Sequence, residues 1–236
     1  VYKTEVELKV AAVTTFSPRG YETYGKRMIQ SFIEWWPIDV PLYVFYEGEK
    51  PKDADERVQW VSFRDDLDHA AFGERNEDVG RDYRYQCVRF SHKVFAATKA
   101  PRNADWLIWL DGDTETIREV NHDFLNEVLP DGYVASYLGR SWTHSETGFV
   151  GYRLNETGKQ FLDEMREYYV TDRVYHLSEC HDCAVFDAVR KSFEYNGHRF
   201  FNLCPNASTL DCWKQSPLQR VMTHFKGPKA KQAAYA

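Results

Sequence analysis

No apolar run in this chain approaches the roughly 18 residues that a membrane-spanning helix needs. Excess positive charge is also missing: 30 Lys and Arg stand against 36 Asp and Glu, a net charge of −6. Bulk electrostatics therefore do not favour nucleic acid or an anionic membrane surface. Cysteine is sparse, with only Cys87, Cys180, Cys183, Cys204 and Cys212. An odd number without regular spacing makes no disulfide framework and fits reduced thiols. Cys180-His181-Asp182-Cys183 has C-x-x-C spacing, but Cys204 and Cys212 are too far apart to complete a four-cysteine zinc site. No internal repeat and no linker divides the 236 residues, so one α/β domain is expected. With no basic-then-apolar leader pattern in the first 30 residues, a cytoplasmic location is expected.

What the chain does have is aromatic residues, 16% of the total. Their default use is core packing, with stacking on sugars and bases as a second use. Within the sequence, the stretch from Asp105 to Glu115 carries the most chemistry. Trp106 to Leu110 is a short apolar run without helical spacing, which reads as a strand buried on both faces. It ends in Asp111-Gly112-Asp113. In open α/β sheets, ligands bind at the carboxyl ends of strands. Two carboxylates there, with a glycine allowing a tight bend, can turn toward one hard cation such as magnesium or manganese. The alternative is an ordinary turn, since Asp and Gly both suit turn backbones.

Upstream, Leu8 to Thr15 reads as the first strand, Tyr21 to Trp36 as a helix, and Leu42 to Tyr46 and Val58 to Phe63 as further strands. Strand, helix, strand opens a doubly wound sheet. The loop after the first strand then lies at the ligand edge, making Thr14, Thr15, Phe16 and Arg19 candidates for nucleoside contact. Phe16-Ser17-Pro18-Arg19-Gly20 is only a fragment of a glycine-rich phosphate loop. Arg64 to Arg84 is highly charged and reads as a long solvated loop, with a lid or acceptor-binding role open to it. Tyr85 to Lys99 reads as a helix in which Arg89 and Lys93, four apart, share a face that can reach a diphosphate or sugar hydroxyls.

Downstream, a helix is expected from His122 to Leu129 and strands at Tyr133 to Leu138 and Thr147 to Leu154. Further helices are expected at Gly158 to Tyr169 and Asp182 to Phe193, then a short strand at Phe200 to Leu203. Gly148 and Gly151 inside a strand mark close approach of a ligand or another chain segment. The tail, Thr223 to Lys231, offers His224 as a nitrogen ligand, Gly227 for backbone approach to a phosphate, and Lys229 to neutralise one. Read alone, it is an ordinary basic terminus.

Together these stretches resemble the GT-A fold glycosyltransferases, most closely the glycogenin-like retaining group. Asp111-Gly112-Asp113 on an apolar strand is similar to that superfamily's D-x-D motif. His181-Asp182 opens a helix as the group's second acidic position does, and Glu146-Thr147-Gly148 enters a strand where the group has a polar residue, a small residue and glycine. His224-Phe225-Lys226-Gly227-Pro228-Lys229 resembles the C-terminal H-x-x-G-x-x-K with the last lysine one position early. The resemblance implies a mixed, mostly parallel central sheet flanked by helices, with residues 1–115 as a nucleotide-binding half and 116–236 as an acceptor half. It implies a hexose moved from a nucleotide-diphosphate sugar, most readily a UDP-sugar, to a hydroxyl of a saccharide or other acceptor. Asp113 and His224 would bind manganese or magnesium, and Asp111 would bind it or the ribose. Gly227 and Lys229 would hold the diphosphate, and Arg89 and Lys93 would approach donor sugar or phosphates. Asp182 and Glu146 would line the donor sugar and acceptor as the catalytic carboxylates.

Rival readings are a metal-dependent phosphohydrolase using Asp111 as nucleophile, a nucleotidyltransferase, and a non-catalytic carbohydrate-binding module. The first expects threonine or valine where Glu115 stands and the motif on the first strand, and the second a fuller phosphate loop. Joint retention of Asp113 and His224 argues against the third.

Overall fold

The computed structural model describes residues 8–78 and 80–226. Seven strands form one sheet in the order β3-β2-β1-β4-β7-β6-β8. These are β1 (Val10–Phe16), β2 (Leu42–Tyr46), β3 (Gln59–Ser62), β4 (Trp106–Leu110), β6 (Ala135–Leu138), β7 (Glu146–Arg153) and β8 (Phe201–Asn202). The first four run parallel, β7 is antiparallel to both β4 and β6, and β8 is parallel to β6. The expected mixed, mostly parallel sheet between helices is therefore present. A second, two-stranded sheet pairs β5 (Thr114–Thr116) with β9 (Met222–His224).

The sheet is buried on both faces because its strands alternate between two apolar layers. Val10, Ala12 and Phe16 of β1 and Trp106, Ile108 and Leu110 of β4 face one layer. Met28, Ile29 and Phe32 of α2 (Lys26–Trp35) and Phe124, Leu125 and Val128 of α5 (His122–Val128) complete it. Ala11, Val13, Leu107 and Trp109 face the other layer. That layer is closed by α4 (Cys87–Lys99), α6 (Glu156–Val170) and α7 (Asp182–Tyr195). Between β1 and α2 the chain first makes a single turn, α1 (Pro18–Gly20), capped by the Ser17 hydroxyl, which accepts from the Gly20 amide at 3.1 Å.

One segment departs from its sequence reading. The expected loop from Arg64 to Arg84 contains a helix, α3 (Leu67–Arg75). Asp66 starts it by accepting the His69 amide at 3.1 Å. Its apolar anchor is Phe72, fully buried against Tyr169 and Phe95. One buried ring in nine residues leaves no apolar periodicity to read, so the helix rests on tertiary packing. Asp66 itself is buried and held by Arg166 of α6 at 2.6 Å.

His69 on α3 stacks on Phe63 at 4.4 Å and lies edge-on to Phe95 and His92. Burial, and then the neighbouring His92, push its pKa down to about 4. The imidazole is thus neutral in the fold, while an unfolded histidine titrates near 6.5. As pH falls from about 6.5 toward 4, the unfolded chain takes the proton first and stability is lost. Allowing for screening of a partly exposed ring, the loss is on the order of 1–2 kcal/mol. Denaturant melts of the native chain and His69→Gln between pH 7 and 4 are expected to show that increment in the native chain alone. Equal pH slopes would contradict the assignment.

Candidate active site

At the carboxyl end of β4 the chain turns through Asp111, Gly112 and Asp113 and enters β5. β5 pairs antiparallel with β9, placing Thr114 opposite His224. The Phe225 amide donates to the Asp113 carbonyl at 3.0 Å and extends that pairing. This short ladder is what joins residue 113 to residue 224. Trp213 anchors β9 through its indole N–H on the Met222 carbonyl at 3.1 Å, and its ring lies 5.1 Å from that of His224.

The result is a three-residue cluster. Oxygens of Asp111 and Asp113 and a ring nitrogen of His224 all lie within 4.8 Å of one another. His224 Nε2 is 3.2 Å from Asp113 Oδ1 and 3.7 Å from Asp111 Oδ2. Adjacent ligands of an ion with bonds of about 2.1 Å stand about 3 Å apart, so the spacing fits one cation. Two carboxylates and one imidazole suit manganese or magnesium. Burial opposes charge on His224, but the hydrogen bond to Asp113 and the charges of Asp113, Asp111 and Glu146 outweigh it and raise its pKa.

Gly112 lies in the tight bend expected of it, a turn closed by the Thr114 amide on the Asp111 carbonyl at 3.0 Å, but without positive φ, so the bend does not by itself require glycine. Its role is close approach: a Cβ there would stand 2.5 Å from Phe16 Cε1 and 3.2 Å from Tyr24 Cε2. Phe16 is accordingly buried under the backbone of the Asp111–Asp113 turn, packed on Tyr21, Tyr24 and Gly112. Thr14 is fully buried as well. Both face the apolar layer because β1 runs on to Phe16, so neither side chain is presented to a nucleoside. Thr15, on the other face, donates its hydroxyl to the Phe45 carbonyl at 2.8 Å, and Arg19 is exposed beside the same strand end.

Lys93 of α4 is the second centre of charge. Its ammonium reaches Asp111 at 2.9 Å, Asp182 at 2.8 Å and the Thr147 carbonyl at 2.8 Å. Burial works against this cation, yet Asp111 and Asp182 hold its pKa well above the usual lysine range. The Thr147 hydroxyl donates to Asp182, and the Trp109 indole donates to Asp111 at 2.7 Å. Asp182 is the first residue of α7 but not its cap. His181 takes that role, its Nδ1 accepting the Ala184 amide at 3.2 Å. The buried Asp182 carboxylate is therefore free to face Lys93. Arg89, its expected companion, is exposed at the rim with its guanidinium 5.4 Å from the Tyr83 ring.

Glu146 opens β7 and is buried. It pairs with Lys226 and lies 3.5 Å from Arg140. Burial alone would raise its pKa, but Lys226, His224 and Arg140 lower it. Lys226 was not singled out in the sequence, although a two-residue step from His224 is a strand-like spacing that could have flagged it. Thr147 was noted only as the small residue entering the strand, and Arg140 carried no such signal. Gly227 and Lys229 lie outside the described residues. All five cysteines are free, and among the described residues no cysteine joins a metal-type cluster.

Gly148 sits under His224: a Cβ there would be 2.8 Å from its Cε1. Glycine in this strand marks a close approach, here by the imidazole. Gly148→Ala is expected to push the ring off the carboxylates and weaken manganese binding at least about tenfold, with the fold kept. Calorimetric titration of the ion checks this. Unchanged affinity would mean that Gly148 does not set the position of His224.

No protein-family model matches the chain, and no curated protein matches its sequence. Its architecture is nonetheless that of solved glycosyltransferases. The apo structure of WbbM, a bifunctional glycosyltransferase, matches with a TM-score of 0.61 at 13% identity, over 96% of this chain and 47% of that one. The chain thus spans about half of WbbM's length. A glycosyltransferase involved in glycosylation of the major capsid of PBCV-1 matches at 0.52 and 10% identity, over 95% and 99% of the two chains. Apo mouse xyloside xylosyltransferase 1 matches at 0.51 and 13%, over 82% and 84%. At such identities the likeness is one of fold. Among the described residues, no helix is long and apolar enough to cross a membrane.

Proposed function

We propose that this chain is a metal-dependent glycosyltransferase that moves a hexose from a nucleotide-diphosphate sugar, a UDP-sugar first, to an acceptor hydroxyl. The observation that carries the reading is the meeting of Asp111 and Asp113 with His224, from segments over a hundred residues apart, on a fold shared with glycosyltransferases. Asp111, Asp113 and His224 would hold manganese or magnesium. When bound, that ion supplies Lewis-acid stabilisation of a diphosphate leaving group.

The rest of the chemistry falls to this chain's own side chains. Breaking the sugar–phosphate bond leaves negative charge on the diphosphate, and Lys226, half exposed and two residues from His224, is proposed to take it up. Gly227 and Lys229 follow directly and are proposed to extend that contact. Lys93 fixes Asp111 and Asp182 relative to each other, so one ammonium ties the metal cluster to the carboxylate proposed to line the donor sugar. Thr15, Arg19 and Arg89 are proposed contacts at the nucleotide edge. A general base works best with a pKa near the working pH. Glu146 is instead held below its usual range, with Lys226 and Arg140 among the causes, and we take it to stay ionised and stabilise an oxocarbenium-like sugar. That supports retention of configuration, the outcome of the glycogenin-like group.

Turnover on a panel of nucleotide-diphosphate sugars with manganese and simple saccharide acceptors tests the reading. Release of nucleoside diphosphate together with a glycosylated acceptor is the expected result. Pyrophosphate release would point to nucleotidyl transfer, inorganic phosphate to a phosphohydrolase, and either would overturn it.

A further inference from the structure

A second histidine–carboxylate cluster lies beside the active site and takes no part in the proposed reaction. We propose that His144, Glu179 and His181 form a separate divalent-metal site selective for zinc-class ions. Ligand-type atoms of the three lie within 4.8 Å of one another. His144 Nε2 is 3.9 Å from Glu179 Oε2, and His181 Nε2 contacts the same oxygen. The two rings stand edge to face at 5.3 Å. Two imidazoles and one carboxylate make a nitrogen-rich set, which suits zinc over magnesium or manganese.

The surroundings of His144 are those of a metal ligand. Its other nitrogen, Nδ1, faces Asp187 Oδ2 at 3.5 Å. Asp187 is buried and fixed by the Ser145 amide at 2.9 Å, the Ser145 hydroxyl at 2.6 Å and Arg190 at 3.2 Å. A carboxylate behind a histidine keeps the proton on the far nitrogen and leaves the near lone pair for the ion.

His181 makes the site conditional. Its Nδ1 accepts the Ala184 amide as the cap of α7, so its proton sits on Nε2 and is donated to Glu179. Zinc at Nε2 requires the proton to move, through solvent, to Nδ1, with no net release. The Ala184 amide then loses its side-chain acceptor and keeps only the His181 carbonyl at 3.0 Å. The ion and the helix cap compete for one ring, and the lost cap weakens binding by about fivefold. This makes a labile site that loosens the first turn of α7 on loading. It stands independently of the glycosyltransferase reading.

Zinc titration by calorimetry into His224→Ala, which removes the first cluster, tests the proposal. One equivalent is expected to bind, and none in the His144→Ala/His224→Ala double variant. Glu179→Gln in the same background, which preserves side-chain volume, is expected to weaken binding at least tenfold. Hydrogen exchange at the Ala184 amide is expected to speed up with zinc in His224→Ala and to be unchanged by zinc in the double variant. Thermal midpoints establish that each variant is folded. No zinc bound by folded His224→Ala, or an equivalent persisting in the double variant, would overturn the assignment.

Discussion

Replacing Asp113 with asparagine is expected to lower sugar transfer by at least about a thousandfold while leaving the fold in place. The amide keeps the volume of the carboxylate and the backbone that pairs with Phe225. It removes the anionic oxygen 3.2 Å from His224 Nε2, and with it the charge that would hold a cation there. Losing one preorganised group that stabilises developing negative charge costs roughly a hundred- to a thousandfold. Losing the grip on an ion adds to that. A thousandfold is about 4 kcal/mol of barrier, whereas the thermal midpoint is expected to move by only about 2 °C. Steady-state rates at saturating manganese, with melting curves on the same preparations, make the check. A variant that retains a tenth of native turnover would contradict the proposal that Asp113 holds a catalytic metal.

Lys93→Met is the second large effect, and it falls on stability. All three ammonium hydrogens are engaged, by Asp111, Asp182 and the Thr147 carbonyl. Methionine fills much of the same space but leaves Asp182 buried without its cation. Breaking a buried pair from one side costs about 3–5 kcal/mol. In a domain of this size that is about 10 °C in melting temperature. Urea melts of the native chain and the variant at pH 7 measure the loss. A loss under about 1 kcal/mol at pH 7 would show that Lys93 is not the counter-ion of Asp182.

The legible parts of this chain are those where a local pattern and the tertiary environment agree. β2 and β4 have the bounds their apolar runs suggested, Leu42–Tyr46 and Trp106–Leu110, because strands buried on both faces must be apolar throughout. Helix α7 was legible from the spacing of its apolar Val185, Phe186 and Val189. Helix α3 was not, because Phe72 alone ties it to the core. β5 and β9 are three residues each, and their pairing across more than a hundred positions leaves no local mark. The same limit applies to the site. Asp111, Asp113 and His224 were readable as chemistry, and the ladder that brings them together was not. Gly112 was readable as part of a turn, but what requires glycine there is the Phe16 ring, a contact no turn rule describes. Lys226 escaped because its meaning lies in Glu146, eighty residues away.

The most direct test of the account is calorimetric binding of UDP, with and without manganese, to the native chain and to His224→Ala. Native binding is expected to depend on manganese, and His224→Ala to weaken it at least tenfold, about 1.4 kcal/mol. That result would make the strand end at residue 113 and the tail at residue 224 one donor site. UDP affinity indifferent to manganese, or equal in the two proteins, would contradict it.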